Sequence, residues 1–107
     1  MIQVSDINTI QNNIKENPIT ILYFTGLDCG ACEAIKFKVD NIVKDYNKIF
    51  AMELSGEKHI DISAHFNVFS LPLLILYTEG KEVIRYSRSI DLLEFEKTID
   101  RYYSLLY

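Results

Sequence analysis

The run Ile19-Thr20-Ile21-Leu22-Tyr23-Phe24 has one small polar side chain and no charge. A strand with one wet face alternates apolar and polar residues, so a run this continuous describes a central strand buried on both faces. Each face of the sheet that holds it must then be covered by other elements.

The segment directly after the run carries chemistry. Gly26-Leu27-Asp28 reads as a loop, and Cys29-Gly30-Ala31-Cys32 opens a helix. In that helix Ala31, Ile35, Val39, Ile42 and Tyr46 recur at helical spacing, and Phe37 and Val43 widen the stripe. Two thiols therefore sit on a strand-to-helix turn, the first near the helix N-terminus, where the partial positive charge favours a thiolate. A thiolate with a second thiol one turn further on is the minimal apparatus for breaking disulfides. These are the only cysteines. A bridge closing so short a loop stabilises a fold little through chain entropy, which argues against a structural staple.

The remaining pattern supplies the layers. Ser5 or Asp6 caps a first helix with Ile7, Ile10 and Ile14 on one face, and Asn17-Pro18 ends it. Ile49 to Leu54 reads as a second buried strand, Glu57 to Phe66 as a short helix, and Leu73 to Tyr77 as a third strand. Glu79-Gly80-Lys81 has turn chemistry, and Glu82 to Ser87 pairs back as a hairpin. A final helix runs from Asp91 with Leu92, Phe95, Ile99, Tyr102 and Leu106 aligned. Tyr102, Tyr103 and Tyr107 at this spacing are expected to cap the core with their rings and keep their hydroxyls wet. The order predicts an α/β fold with a mixed sheet, parallel in its first half and antiparallel at one edge, flanked by helices on both faces. With 107 residues, 49% of them apolar, the chain is expected to form a single domain over residues 1–107.

Charge and hydropathy narrow the function classes. A net charge of −4 disfavours a nucleic-acid surface, and Lys36, Lys38, Lys44 and Lys48 read as a solvated helix face. The longest apolar runs have strand length, so no membrane contact is expected. The start Met1-Ile2-Gln3-Val4-Ser5-Asp6 lacks the basic and apolar regions of a secretory signal, so the expected compartment is the cytoplasm. In that compartment a lone Cys-x-x-Cys is redox-active or metal-binding.

Phe24, the dithiol turn Cys29-Gly30-Ala31-Cys32, the segment Val68 to Tyr77 with Pro72 before its strand, Gly80 and the terminal amphipathic helix together resemble a thioredoxin-family domain over almost the whole chain. The resemblance implies a thioredoxin fold and a cis Pro72 lying against the dithiol. Proline tolerates that isomer at modest cost and lacks an N–H. Leu71 is then free to offer its backbone N–H and C=O to an extended substrate. Gly30, Ala31 and Arg88 complete the implied substrate-binding set. Several positions depart from the family's usual pattern. Asp28 stands for a Trp before the first cysteine, Ala31 for a Pro, Leu73 for a Thr, and Arg88 for a Gly at the end of the hairpin strand. Tyr23 stands where the family places a buried Asp that moves protons for the second cysteine. These departures bear on the proton route, the substrate range and recognition by the usual reductase.

The expected activity is thiol-disulfide exchange that reduces protein disulfides, with Cys29 as the attacking thiolate and Cys32 as the buried resolving thiol. Tyr23, with an ordinary pKa near 10, is a poor base at neutral pH and is expected to serve packing. Expected partners are disulfide-containing proteins and, as electron donor, a flavoprotein reductase or another thiol; no cofactor and a monomeric state are expected. Zinc would need four ligands, and Cys29, Cys32, His59 and His65 are poorly spaced to supply them. A third class is a thioredoxin-fold peptide-binding or redox-sensing module with little general reductase activity, against which two intact cysteines argue.

Overall fold

The buried run lies at the centre of the sheet in a computed structural model, which describes residues 1–107. In chain order the elements are β1 (Ile2–Gln3), α1 (Ile7–Glu16), β2 (Ile19–Thr25), α2 (Gly30–Val43), β3 (Phe50–Ser55), α3 (Ile60–His65), β4 (Leu73–Thr78), β5 (Lys81–Ser87) and α4 (Leu92–Leu106). The strand order is β1-β3-β2-β4-β5. Strands β1, β3 and β2 run parallel, whereas β4 is antiparallel to both β2 and β5. This is the mixed sheet of the thioredoxin fold. No helix is long and apolar enough to cross a membrane.

Period-two geometry divides β2 between two cores. Leu22 and Phe24 face Ile10 and Ile14 of α1 and Ile62 of α3. Ile19, Ile21 and Tyr23 face Val39 of α2 and Phe95 and Ile99 of α4. Asp6 caps α1, accepting the Thr9 N–H at 3.1 Å, and Asp91 caps α4 by accepting from Glu94 N at 3.0 Å.

Several boundaries and roles differ from the sequence expectation. Strand β1 has no sequence signal: two residues are too few for an alternation to register, and pairing with Met52 and Glu53 defines it. Helix α3 is only six residues, shorter than the predicted Glu57–Phe66: Glu57 and Lys58 belong to the turn after β3, His59 is the N-cap and Phe66 the C-cap. Phe37 does not widen the α2 stripe; it is 69% exposed, because its helix position turns it away from the sheet. Tyr46 lies past the end of α2, where its ring packs edge-on against Tyr103. The Tyr103 and Tyr107 hydroxyls are bonded to Asn47 Oδ1 and Lys48 O, tying α4 to the segment before β3.

Candidate functional site

Cys29 is the N-cap of α2, with extended backbone, and its Sγ accepts the Cys32 N–H at 3.1 Å. A side-chain acceptor for the third helical N–H satisfies one of the orphan donors of a helix start, a task usually met by Ser, Thr, Asp or Asn. Here sulfur meets it, so Cys29 Sγ lies against the positive end of a fourteen-residue helix. Cys32 is fully buried, and Cys29 is half-buried. The two are joined in a disulfide with Cα atoms 5.2 Å apart, inside the range such bridges span without backbone movement. Asp28, immediately before the pair, is exposed and has φ 49°, a left-handed turn residue of the kind Asp tolerates.

The Leu71-Pro72 peptide is cis. Two strand-end glycines make room for Leu71: a Cβ on Gly26 would stand 3.3 Å from Leu71 Cδ1 and 3.5 Å from Cys29 Cβ. One on Gly56 would stand 2.9 Å from Leu71 Cδ2. Leu71 therefore wedges between the ends of β2 and β3, next to Cys29. Arg88 meets Pro72 through its own N–H, which donates to Pro72 O at 2.8 Å, and it adopts φ 65°. Gly30 and Ala31 are exposed on the first turn of α2. Of the residues expected from the sequence to contact substrate, Gly30 and Ala31 follow Cys29 on α2, while Leu71, Pro72 and Arg88 are joined to one another through the cis peptide and the Arg88 N–H. Beyond Leu71 lies an apolar cavity of about 490 Å³, lined in part by Ile60, Val68 and Phe69.

Beneath the dithiol the structure corrects two expectations. Tyr23 is more than a packing residue: it is fully buried, and its hydroxyl donates to Cys32 O at 2.7 Å, fastening the first turn of α2 to β2. Burial, then the neighbouring charges of Glu33 and Glu53, push its phenol well above the ordinary value. Lys36 is not simply a solvated-face lysine; its Nζ lies 2.8 Å from Oε1 of Glu53. That bond, opposed in part by desolvation, holds the ammonium above its ordinary value. Glu53 is 2% exposed and also accepts a hydrogen bond from Gln3 Nε2. Sequence reasoning missed Glu53, although one acidic residue inside the apolar run Phe50-Ala51-Met52-Glu53-Leu54 was a visible signal. No cluster of three or more His, Cys, Asp or Glu side chains is placed to hold a metal ion, and His65 bonds Gln11 instead.

Comparison with known proteins agrees with this geometry. The thioredoxin family's sequence model matches residues 2–101. The thioredoxin-like protein YdfQ of Bacillus subtilis is 24% identical over 97 residues, which cover 91% of this chain and 87% of that protein. A thioredoxin from Porphyra purpurea is 24% identical over 103 residues, 95% of this chain and 96% of its own. Mitochondrial thioredoxin 3 from Saccharomyces cerevisiae, in its oxidized form, matches the fold with TM-score 0.82 at 18% identity, over 94% of each chain.

Proposed function

The chain belongs to the thioredoxin family, and from that premise we propose that it reduces protein disulfides by dithiol exchange through Cys29 and Cys32. The observation that carries this reading is the asymmetry of the pair. Cys29 Sγ caps the helix and accepts the Cys32 N–H, while Cys32 has no exposed surface. A sulfur at a helix N-terminus has its thiolate stabilised, and the thiolate is the nucleophile. In the reduced protein Cys29 attacks a substrate disulfide, giving a mixed disulfide and a substrate thiolate. Cys32 then attacks Cys29 and releases the second substrate thiol.

An extended substrate beside Cys29 would find the backbone N–H and C=O of Leu71 and use them as an added strand does. Pro72 offers no competing N–H there. Gly30 and Ala31 would border the substrate on the helix side, and Arg88 would border it beyond Pro72. The oxidised pair is returned to the dithiol by a flavoprotein reductase or another thiol donor.

Reduction of insulin by the purified protein, with a small dithiol as electron source, tests the reading. Cys29→Ser should abolish turnover. Cys32→Ser should attack once and stall as a mixed disulfide, and alkylation at neutral pH should modify Cys29 before Cys32. A wild-type protein that leaves insulin intact would leave a peptide-binding module as the better account. Faster alkylation of Cys32 would reverse the assignment of the two thiols.

A further inference from the structure

A second cavity, of about 340 Å³, differs in character from the apolar one beyond Leu71. Ser5, Thr25, Ser55, Lys58 and His59 line it, and Val4 is the single apolar residue in its wall. Its place in the sheet is that of a ligand crevice. Thr25 and Ser55 are register partners at the carboxyl ends of β2 and β3. From these ends the chain leaves for opposite faces. Strand β2 leads to α2, whose Val39 packs in the cluster of Ile21 and Tyr23. Strand β3 leads to α3, whose Ile62 packs in the cluster of Leu22 and Phe24. In open α/β sheets ligands bind outside the carboxyl ends of the strands at such a point. The volume lies at the low end of the range for small-molecule sites, about 300–1,000 Å³.

The wall offers donors and positive charge and contains no carboxylate. Thr25 Oγ1 is buried with no hydrogen-bond partner, and buried polar atoms nearly always have one. Ser55 Oγ accepts the Lys58 N–H at 3.1 Å, which leaves its hydroxyl proton to donate elsewhere. Lys58 enters none of the ion pairs of the fold, and the His59 side chain makes no capping bond. The carboxylates nearby in the chain are engaged: Asp6 accepts from Thr9, and Glu57 Oε1 accepts the Leu27 N–H. Glu53, whose Oε2 is also unpartnered, has its charge matched by Lys36.

We infer that this cavity binds a compact tetrahedral oxyanion, either free phosphate or the phosphate group of a small molecule. Lys58 supplies the charge, and the hydroxyls of Ser5, Thr25 and Ser55 donate to the anion's oxygens. A phosphate presents more acceptor oxygens than a carboxylate does, which suits several hydroxyls gathered around one cation, and lysine serves such groups as a point charge. The bound anion would lie close to the dithiol: a Cβ on Gly26, the residue after Thr25, would stand 3.5 Å from Cys29 Cβ. The site stands apart from the disulfide-reductase reading and does not depend on it.

Titration of the intact oxidised chain with inorganic phosphate tests the site, at neutral pH with ionic strength held constant by chloride. Amide chemical shifts are the readout. Saturable changes should appear at Ser5, Thr25, Ser55, Lys58 and His59. Lys58→Gln and Thr25→Val should each weaken binding about tenfold or more, the scale of one lost hydrogen bond to a charged group. Lys97→Gln, on the exposed side of α4, should bind as the wild type does. Should Thr25→Val not fold, Lys58→Gln at its exposed position carries the test. Glycerol phosphate titrated in the same way separates the sources. Tighter binding than inorganic phosphate identifies the end group of a small molecule, and equal or weaker binding identifies the free ion. No saturable change with either probe overturns the proposal, as does a Lys58→Gln protein that binds like the wild type. Equal weakening in Lys58→Gln and Lys97→Gln would trace the effect to net charge and overturn it too.

Discussion

Replacing Tyr23 with Phe deletes one hydroxyl and keeps the ring in its fully buried place among Val39, Leu74 and Phe95. What is lost is the donor to Cys32 O at 2.7 Å. A buried hydrogen bond is worth about 1 kcal/mol net, and an acceptor left unsatisfied costs about 1–3 kcal/mol. The carbonyl belongs to an α-helix, whose own ladder also serves it, so the lower half of that range applies: about 1–2 kcal/mol. With a urea m-value of about 2 kcal/mol/M, the unfolding midpoint should fall by about 0.5–1 M. The assay is urea unfolding followed by circular dichroism, run on the oxidised and the reduced protein. The bond ends on backbone and not on a thiol, so the loss should be equal in the two states. The reduction potential should then stay within about 10 mV of wild type, since about 30 mV corresponds to 1.4 kcal/mol. An unmoved midpoint would show that the hydroxyl does not fasten α2 to β2. A loss confined to one redox state would show that it acts on the sulfurs.

Asp28 and Glu33 flank the dithiol and disfavour a second negative charge, and Lys36 is committed to Glu53, so the Cys29 thiolate gains only modest help beyond the helix terminus. The potential should accordingly lie near −270 mV, roughly that of thioredoxin, and not near the −120 mV of a strong oxidant; a protein that stays reduced in a mildly oxidising glutathione buffer would contradict this. Gly56→Ala brings a Cβ to 2.9 Å from Leu71 Cδ2 and 3.2 Å from Ser63 Oγ. Overpacking of this kind costs about 1–3 kcal/mol, so the melting temperature should fall, and insulin reduction should slow as Leu71 shifts beside Cys29. Tyr77 is pushed up to about 12 by burial, then by Glu82. Its neutral form is favoured in the fold, so the stability it contributes is intact below pH 10 and is lost as the pH rises from about 10 to about 12. Urea midpoints should decline across that window together with the appearance of tyrosinate absorbance, and a flat profile would remove Tyr77 as a contributor.

The order of the four helices and of the four longer strands was legible because each has a period or a run long enough to read. Asp6, Asn17-Pro18 and Glu79-Gly80 punctuated the chain where the structure turns. The dithiol and Pro72 were legible as residue types in a fixed spacing. The floor of the site was not, because its members come from separate elements. Tyr23, Lys36 and Glu53 are brought together by the β2–β3 register and by one turn of α2, and register is a pairing property that no single segment displays. Lys36 sat among other lysines and shared their pattern; only the carboxylate across from it sets it apart. Phe37 misled because aromatic residues usually widen an apolar stripe, yet helix α2 shows it to water.

The division of the interior into two clusters with no common member has a consequence for how this chain can change over time. Substitutions at Ile10 or Ile14 alter packing on the α1 face of the sheet, whereas the Tyr23 ring belongs to the cluster on the other face. Energetic effects at sites without shared partners add to within about 0.3–0.5 kcal/mol. Losses on the α1 side can therefore be offset by gains on the same side, while Tyr23, Lys36 and Glu53 keep their geometry. A lineage could gain or lose several degrees of thermal tolerance through one face of the sheet without retuning the other.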